Sequence, residues 1–332
     1  MANRPFRFIH ASDFHLDKVP QGIADVPDSL RDALVDAPYR AATRVFELAI
    51  HEHVDFVVLA GDILSPPEAG PRGWAFLVDQ FQRLGENGIV VYWAGGEVDP
   101  PDSWPASIDL PANVHVFGSQ RVERVTYEAD EEPICHVLGV SSSPRGRIRA
   151  AEFVPPDDGL FSLAVVHGRA EAEQLARQQI DYWALGGRHE RETLTMSTTV
   201  AQHCGTPQGR SPDELGPHGC LVVQVDDEGR ARSTFVPTDA VRFLHEALTL
   251  PASAQVDRLQ RELAEREELQ RMLAAAQAGG VPAILPVFAP DLAETERQIA
   301  AWRERGVRAF TIGTDKILLH SQGARFVRAL RR

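Results

Sequence analysis

The chain has 332 residues, is 43% hydrophobic and carries a formal net charge of -13. That is enough apolar material for one large domain plus an appendage, and too acidic overall for a protein that grips nucleic acid across a broad basic surface. Three cysteines (Cys135, Cys204, Cys220) fit neither a zinc motif nor a disulfide framework, the N-terminal MANRPFRFIHASDFH has no signal-peptide core, and no apolar run reaches ~18 residues. A soluble, cytoplasmic protein with no membrane segment is the expectation.

In chain order, strands are predicted over Phe6–Ala11, Phe56–Ala60, Val90–Ala94, Val114–Phe117, His136–Val140, Ser162–Val166, Tyr182–Leu185, Leu221–Val225 and Thr234–Val236. Helices are predicted chiefly over Ala37–Glu52 and Trp74–Leu84. Alternating strand and helix argue an α/β layered fold. The later strands have fewer helices between them, which favours a mixed sheet or a two-sheet sandwich over a purely doubly wound sheet. A break falls near Pro237–Pro251. Beyond it, Gln255–Ala278 reads as an amphipathic helix with Val256, Leu259, Leu263 and Leu273 on one face. A strand near Ala283–Phe288, a helix over Asp291–Arg305 and strands over Val307–Ile312 and Ile317–His320 complete a small α/β appendage. The C-terminal arginines Arg325, Arg328, Arg331 and Arg332 form the one dense basic run.

Candidate ligands recur where these strands end, the place open α/β sheets put their ligands. Asp13 and His15 follow the first strand, two residues apart, so a carboxylate and an imidazole can face one ion. Gly61-Asp62 follows the second, with glycine allowing close backbone approach and a carboxylate able to bridge two cations. Gly96-Glu97-Val98-Asp99, His167-Gly168 and Gly186-Gly187-Arg188-His189 follow three later strands. A lone histidine or D-x-H is weak, but five such ends in order, each offering Asp, Glu or His, are hard to explain as structural.

The order D-x-H, G-D, G-N-H-D, H, G-H-x-H resembles the calcineurin-like metallophosphoesterases. The stretches HASDFHLD, DFVVLAGDIL, DYWALGGRHER and GTPQGRSPDELGPHGC are similar to the SbcD-type double-strand-break repair nucleases. The resemblance covers roughly residues 6–240. It implies a two-sheet β-sandwich flanked by helices over 1–240 and a small α/β cap over 241–332. It also implies two divalent ions, usually manganese with magnesium, iron or zinc as alternatives, sharing a bridging Asp. Residue by residue, Asp13, His15, Asp62 and His189 match the first metal site, with Asp62 the bridge, and His167 matches the second. Asp62 and His167 are thus the expected catalytic centre, and DNA, an SbcC-type ATPase and a second copy of the chain are the implied partners.

The departures cluster. Glu97 stands where the second-metal Asn belongs and can still coordinate. Val98 stands where the family has its proton-handling histidine, and valine donates no proton. Gly187 replaces the first histidine of G-H-x-H. Either reduced phosphodiesterase or exonuclease activity, or a catalytically inactive binding scaffold, follows. Glu97 and Arg188 sit on neighbouring loops, where an ion pair would fill the vacated volume. The alternatives are that Arg188 serves a phosphate or faces solvent. Arg210 in Gln208-Gly209-Arg210 is a second candidate for phosphate contact, while Asp17, His203 and Cys204 are supporting candidates.

Overall fold

The near-continuous apolar runs of the sequence become strands buried on both faces, as parallel strands covered on two sides require. In a computed structural model, residues 4–22, 28–105, 107–141, 147–196, 199–243, 284–287 and 309–312 are described. The expected helices over 255–278 and 291–305, the strand over 317–320 and the arginine-rich tail lie outside them.

One six-stranded sheet has the order β12-β11-β1-β2-β3-β4, formed by β1 (Phe6–Ala11), β2 (Phe56–Leu59), β3 (Val90–Ala94), β4 (Val114–Phe117), β11 (Gly219–Val225) and β12 (Ala231–Pro237). A second has the order β5-β6-β7-β8-β10-β9, formed by β5 (Glu123–Ala129), β6 (Glu132–Val140), β7 (Phe161–His167), β8 (Tyr182–Gly186), β9 (Glu192–Met196) and β10 (Thr199–His203). β1 to β4 run parallel, as do β6, β7, β8 and β10, with antiparallel strands at the flanks.

The period of two along each strand sorts side chains between layers. Phe8, Phe56, Val58 and Tyr92 meet Val137, Leu163, Val165 and Tyr182 in a core between the two sheets. The alternate residues Ile9, Val57, Leu59 and Trp93 face helices α1 (Asp28–His51) and α2 (Pro66–Glu86) through Val45, Phe46, Leu77 and Phe81. On the far side of the second sheet, Ala164, Val166, Trp183 and Leu185 pack with Ile148 and Phe153 and with Leu175 of α3 (Ala172–Ala176). This is a layered α/β arrangement, two mixed sheets flanked by helices. α2 is kinked where Gly70 takes φ 58° ahead of Pro71.

Contacts divide the chain into two units, Met1–Val19, Asp36–Arg210 and Pro217–Asp239 in one, and Pro20–Val35, Ser211–Gly216 and Ala240–Arg332 in the other. Within the second, β13 (Ile284–Val287) and β14 (Ala309–Ile312) pair in parallel, at two of the three strand positions predicted for the appendage.

Candidate metal centre

The loops after β1, β2 and β3 and those after β7, β8 and β10 converge at the carboxyl ends of the parallel strands. The β1–β2 pairing continues past both strands. Ala60 N donates to Ala11 O at 2.9 Å, Asp13 N to Gly61 O at 2.8 Å and His15 N to Asp62 O at 3.0 Å. Gly61 is required there. At φ +82° a Cβ would lie 2.6 Å from Gly96 Cα and 2.9 Å from His167 Cβ. Asp13, His15 and Asp62 all sit at positive φ (54°, 44° and 55°), a conformation costing an L-residue about 1–2 kcal/mol each. Strain of this kind on buried polar residues concentrates at functional sites.

Two groups of side chains bring their ligand atoms within 4.8 Å of one another: Asp13, His15 and His189, and Asp13, Asp62 and His167. His167 Nε2 lies 3.5 Å from Asp13 Oδ1 and 3.3 Å from Asp62 Oδ2, and His15 Nε2 lies 3.9 Å from Asp62 Oδ2. Asp13 is the member common to both groups, and Asp62 Oδ2, the bridge that the resemblance implies, lies near His15 and His167 alike. Asp13 Oδ1, His15 Nε2 and both ring nitrogens of His167 are buried without a hydrogen-bond partner among the described residues. Native proteins rarely leave such atoms unmatched. Buried carboxylate and imidazole donors fit a divalent cation.

The remaining atoms of these residues are fixed by neighbours. Asp13 Oδ2 accepts from Ser12 Oγ at 2.5 Å and from Gly187 N at 3.0 Å, and Thr206 Oγ1 donates to Asp13 O at 2.7 Å. Asp62 Oδ1 accepts from Val98 N at 3.0 Å. Arg210 donates through Nη2 to His189 Nδ1 at 2.7 Å. The His189 ring lies nearly perpendicular to that of His15, with centroids 5.3 Å apart.

Burial, then the Arg210 charge, pushes His15 down to about 4, so it is held neutral with a free lone pair. Burial and then Arg188 lower His203, at the end of β10, to about 4. Burial would lower His167 too, but the Asp13 and Asp62 carboxylates, 3.5 and 3.3 Å from its Nε2, override it and raise the ring to about 10. Asp62 answers with a carboxyl at about 2: its burial opposes the shift, and the neighbouring His167 outweighs it.

The third motif reads differently in space. Glu97, expected as a second-site ligand, is exposed and belongs to neither group among the described residues. Two positions on, Asp99 is fully buried. Its Oδ1 accepts from Asp62 N at 2.9 Å and Gly96 N at 2.5 Å, and its Oδ2 from Ile63 N at 3.0 Å. Within this tight turn the residue that reaches inward is Asp99, and it ties the Asp62 loop rather than offering a free oxygen. The suggested Glu97–Arg188 pair gives way to Arg188–Glu192 at 2.6 Å, an i,i+4 contact made locally and half exposed. Arg210 meets a ligand histidine. Val98 is half-buried and reaches Asp62 through its backbone alone. Asp17 Oδ1 accepts from Ser65 N at 2.7 Å, and Cys204 Sγ lies 3.1 Å from Ser12 Oγ, so both act behind the ligands. Sequence reasoning passed over Ser12, Thr206 and the tying role of Asp99. Asp99 alone left a signal, as the last letter of its motif.

No family model matches the chain. Over 232 residues it is 30% identical to the uncharacterized metallophosphoesterase YhaO of Bacillus subtilis, an alignment covering 66% of this chain and 57% of that protein. The chain thus spans little more than half the length of this curated relative. Solved structures similar to it include a dimetal phosphatase from Danio rerio (10% identity, TM-score 0.41, covering 69% of this chain and 98% of that one). Another is a conserved predicted phosphoesterase from Streptococcus pneumoniae (13% identity, TM-score 0.30, covering 71% and 100%). Over the aligned residues the chain is thus similar to a metallophosphoesterase, and its own fold is a layered one of two mixed sheets flanked by helices.

Proposed function

We propose that the chain is a metal-dependent phosphodiester hydrolase of the nuclease type, working with reduced proton transfer. The observation that carries this reading is the pair of ligand groups sharing Asp13, with Asp13 Oδ1, His15 Nε2 and His167 Nε2 buried without a hydrogen-bond partner among the described residues. Asp13, His15 and His189 would hold one ion, and Asp13, Asp62 and His167 the other. Divalent ions in such a pair clamp the attacking and leaving oxygens of an in-line phosphoryl displacement and make bound water more acidic.

The protein's own part is to hold that constellation rigid. Asp99 locks the Asp62 turn, Gly187 N and Ser12 orient Asp13, and the Arg210 charge keeps His15 neutral; an ion on His189 would take the ring lone pair that Arg210 engages. The position that would hand a proton to the leaving oxygen carries Val98, and a missing general acid typically costs ~100- to 10,000-fold in rate. The substrate best suited to such a site is a diester with a good leaving group or a strained backbone. Hydrolysis of bis-p-nitrophenyl phosphate and of single-stranded DNA with Mn²⁺, compared with the Asp62→Ala variant, tests this. A metal-dependent rate lost in the variant supports it, and equal rates for both proteins refute it.

The Val98 and Gly187 replacements favour one second reading. The chain would then be a binding subunit that keeps the fold and the first ion, acting on DNA beside an SbcC-type ATPase. It predicts ion binding without any turnover.

A further inference from the structure

A groove separate from the ligand cluster is lined by Arg147, Ile148, Arg149, Ala150, Ala151, Gln174, Arg177 and Gln178 and encloses about 660 Å³. Three of these side chains are guanidinium groups in a protein of formal net charge -13. Arg147, Arg149 and Arg177 are all exposed. Arg149 is held by Glu152 at 3.2 Å, an exposed contact of the kind worth little in water. Among the described residues no ion pair is made by Arg147 or Arg177. Clustered exposed guanidinium groups raise the local concentration of anions even on a protein that is acidic overall. Two glutamine amides beside the guanidinium groups add donors and acceptors without adding charge. The volume falls in the range of about 300–1,000 Å³ typical of organic ligands and is larger than a lone ion needs.

The backbone ties this groove to the candidate metal centre. Arg147 forms a parallel bridge with Arg169, and Ile148 N donates to Arg169 O at 3.0 Å. Arg169 is exposed and stands two residues beyond His167. Two extended residues span at most ~7 Å, and paired strands lie ~5 Å apart. Arg147 therefore begins within about 12 Å of the backbone of a ligand histidine. Phosphates along one strand of a nucleic acid advance about 3.4 Å each, so a chain with its scissile phosphate at the metal centre passes the groove within a few nucleotides.

We propose that this groove, with Arg169 at its inner end, binds the phosphates of a single-stranded nucleic acid flanking the bond to be cut. The proposal deepens the phosphodiesterase reading and rests on it for the direction of the strand, but its test does not depend on turnover. A fluorescein-labelled single-stranded DNA is titrated with the full chain in EDTA, by anisotropy, across a salt series. A combined Arg147→Ala, Arg149→Ala, Arg177→Ala variant is compared with a control carrying the same charge change at the exposed Arg4, Arg124 and Arg232.

The groove variant is expected to bind at least tenfold more weakly. Its slope of log affinity against log salt should be shallower by about 2, since each single-strand phosphate contact contributes ~0.7. The control and the rate on bis-p-nitrophenyl phosphate should stay unchanged. Equal losses in groove variant and control would overturn the proposal, because net charge alone would then explain binding. Tripolyphosphate binding at the groove without strand binding would overturn it in favour of a small polyphosphate ligand. A wild type that hydrolyses no diester yet loses strand binding on removal of the three arginines would refute the phosphodiesterase reading and sustain the groove.

Discussion

Replacing Asp99 with asparagine separates the scaffold of the site from its ligands. The wild-type carboxyl accepts three backbone N–H groups, from Asp62 at 2.9 Å, Gly96 at 2.5 Å and Ile63 at 3.0 Å. Asparagine can keep the two on Oδ1 with its carbonyl oxygen, but it turns an NH₂ toward Ile63 N–H. One buried donor is then left unmatched, at about 1–3 kcal/mol. Burial, opposed by these same N–H groups and assisted by the nearby Asp62 charge, pushes the Asp99 carboxyl from 3.8 up to about 6. The folded protein therefore holds that proton more tightly than the unfolded chain does. Wild-type stability is fully present below about pH 4 and declines as pH rises toward 6, by about 3 kcal/mol for a shift of roughly two units.

The asparagine variant has no such proton to lose. Urea denaturation in EDTA at pH 4.5 and pH 7 should show the stability difference moving by about 2 kcal/mol in favour of the variant at the higher pH. A difference that is the same at both pH values would refute the claim that burial raises the Asp99 carboxyl above its ordinary range at this turn.

Other perturbations follow from the same geometry. Val98→His places an imidazole on a residue whose backbone already touches Asp62, and the rate on single-stranded DNA, whose alkoxide leaving group needs a proton, should rise by ~100-fold, the low end for one added general acid, while bis-p-nitrophenyl phosphate gains little. Gly187→Ala adds a Cβ 3.2 Å from His167 Cε1 at φ +88°. Thermal or urea unfolding should show a loss of about 1–2 kcal/mol, together with weaker Mn²⁺ binding as the N–H to Asp13 shifts. In Arg210→Ala, the His15 pKa followed by NMR in the metal-free protein should rise from about 4 toward the free value, because one of the two leading causes of its depression is gone.

Much of the fold was legible because its central strands are buried on both faces and so appear as unbroken apolar runs. Phe6–Ala11, Val90–Ala94 and Val114–Phe117 coincide with β1, β3 and β4. The strands passed over were β5 (ERVTYEA), β9 (ETLTM) and β10 (TVAQH). The first two are edge strands with a polar face, and β10 puts Gln202 and His203 inside. A half-polar strand takes its stability from the neighbour it pairs with, and no local pattern reveals that neighbour.

The site divides in the same way. Asp13, His15, Asp62, His167 and His189 each lie at or just past the end of a strand, so position in the chain announces them. Contacts such as Gly187 N to Asp13, across 174 residues, exist only once two sheets have brought their strand ends together. The third motif kept its letters, but which carboxylate turns inward depends on the turn itself, and Asp99 rather than Glu97 takes that place.

The most direct measurement is Mn²⁺ titration by calorimetry of the wild type beside Asp13→Ala and Glu97→Ala, with folding of each checked by circular dichroism. Asp13 is common to both ligand groups and Glu97 lies in neither. The wild type should bind two ions, Asp13→Ala should lose both, and Glu97→Ala should keep both. Retention of two ions by a folded Asp13→Ala protein would contradict the shared-carboxylate centre on which the account rests.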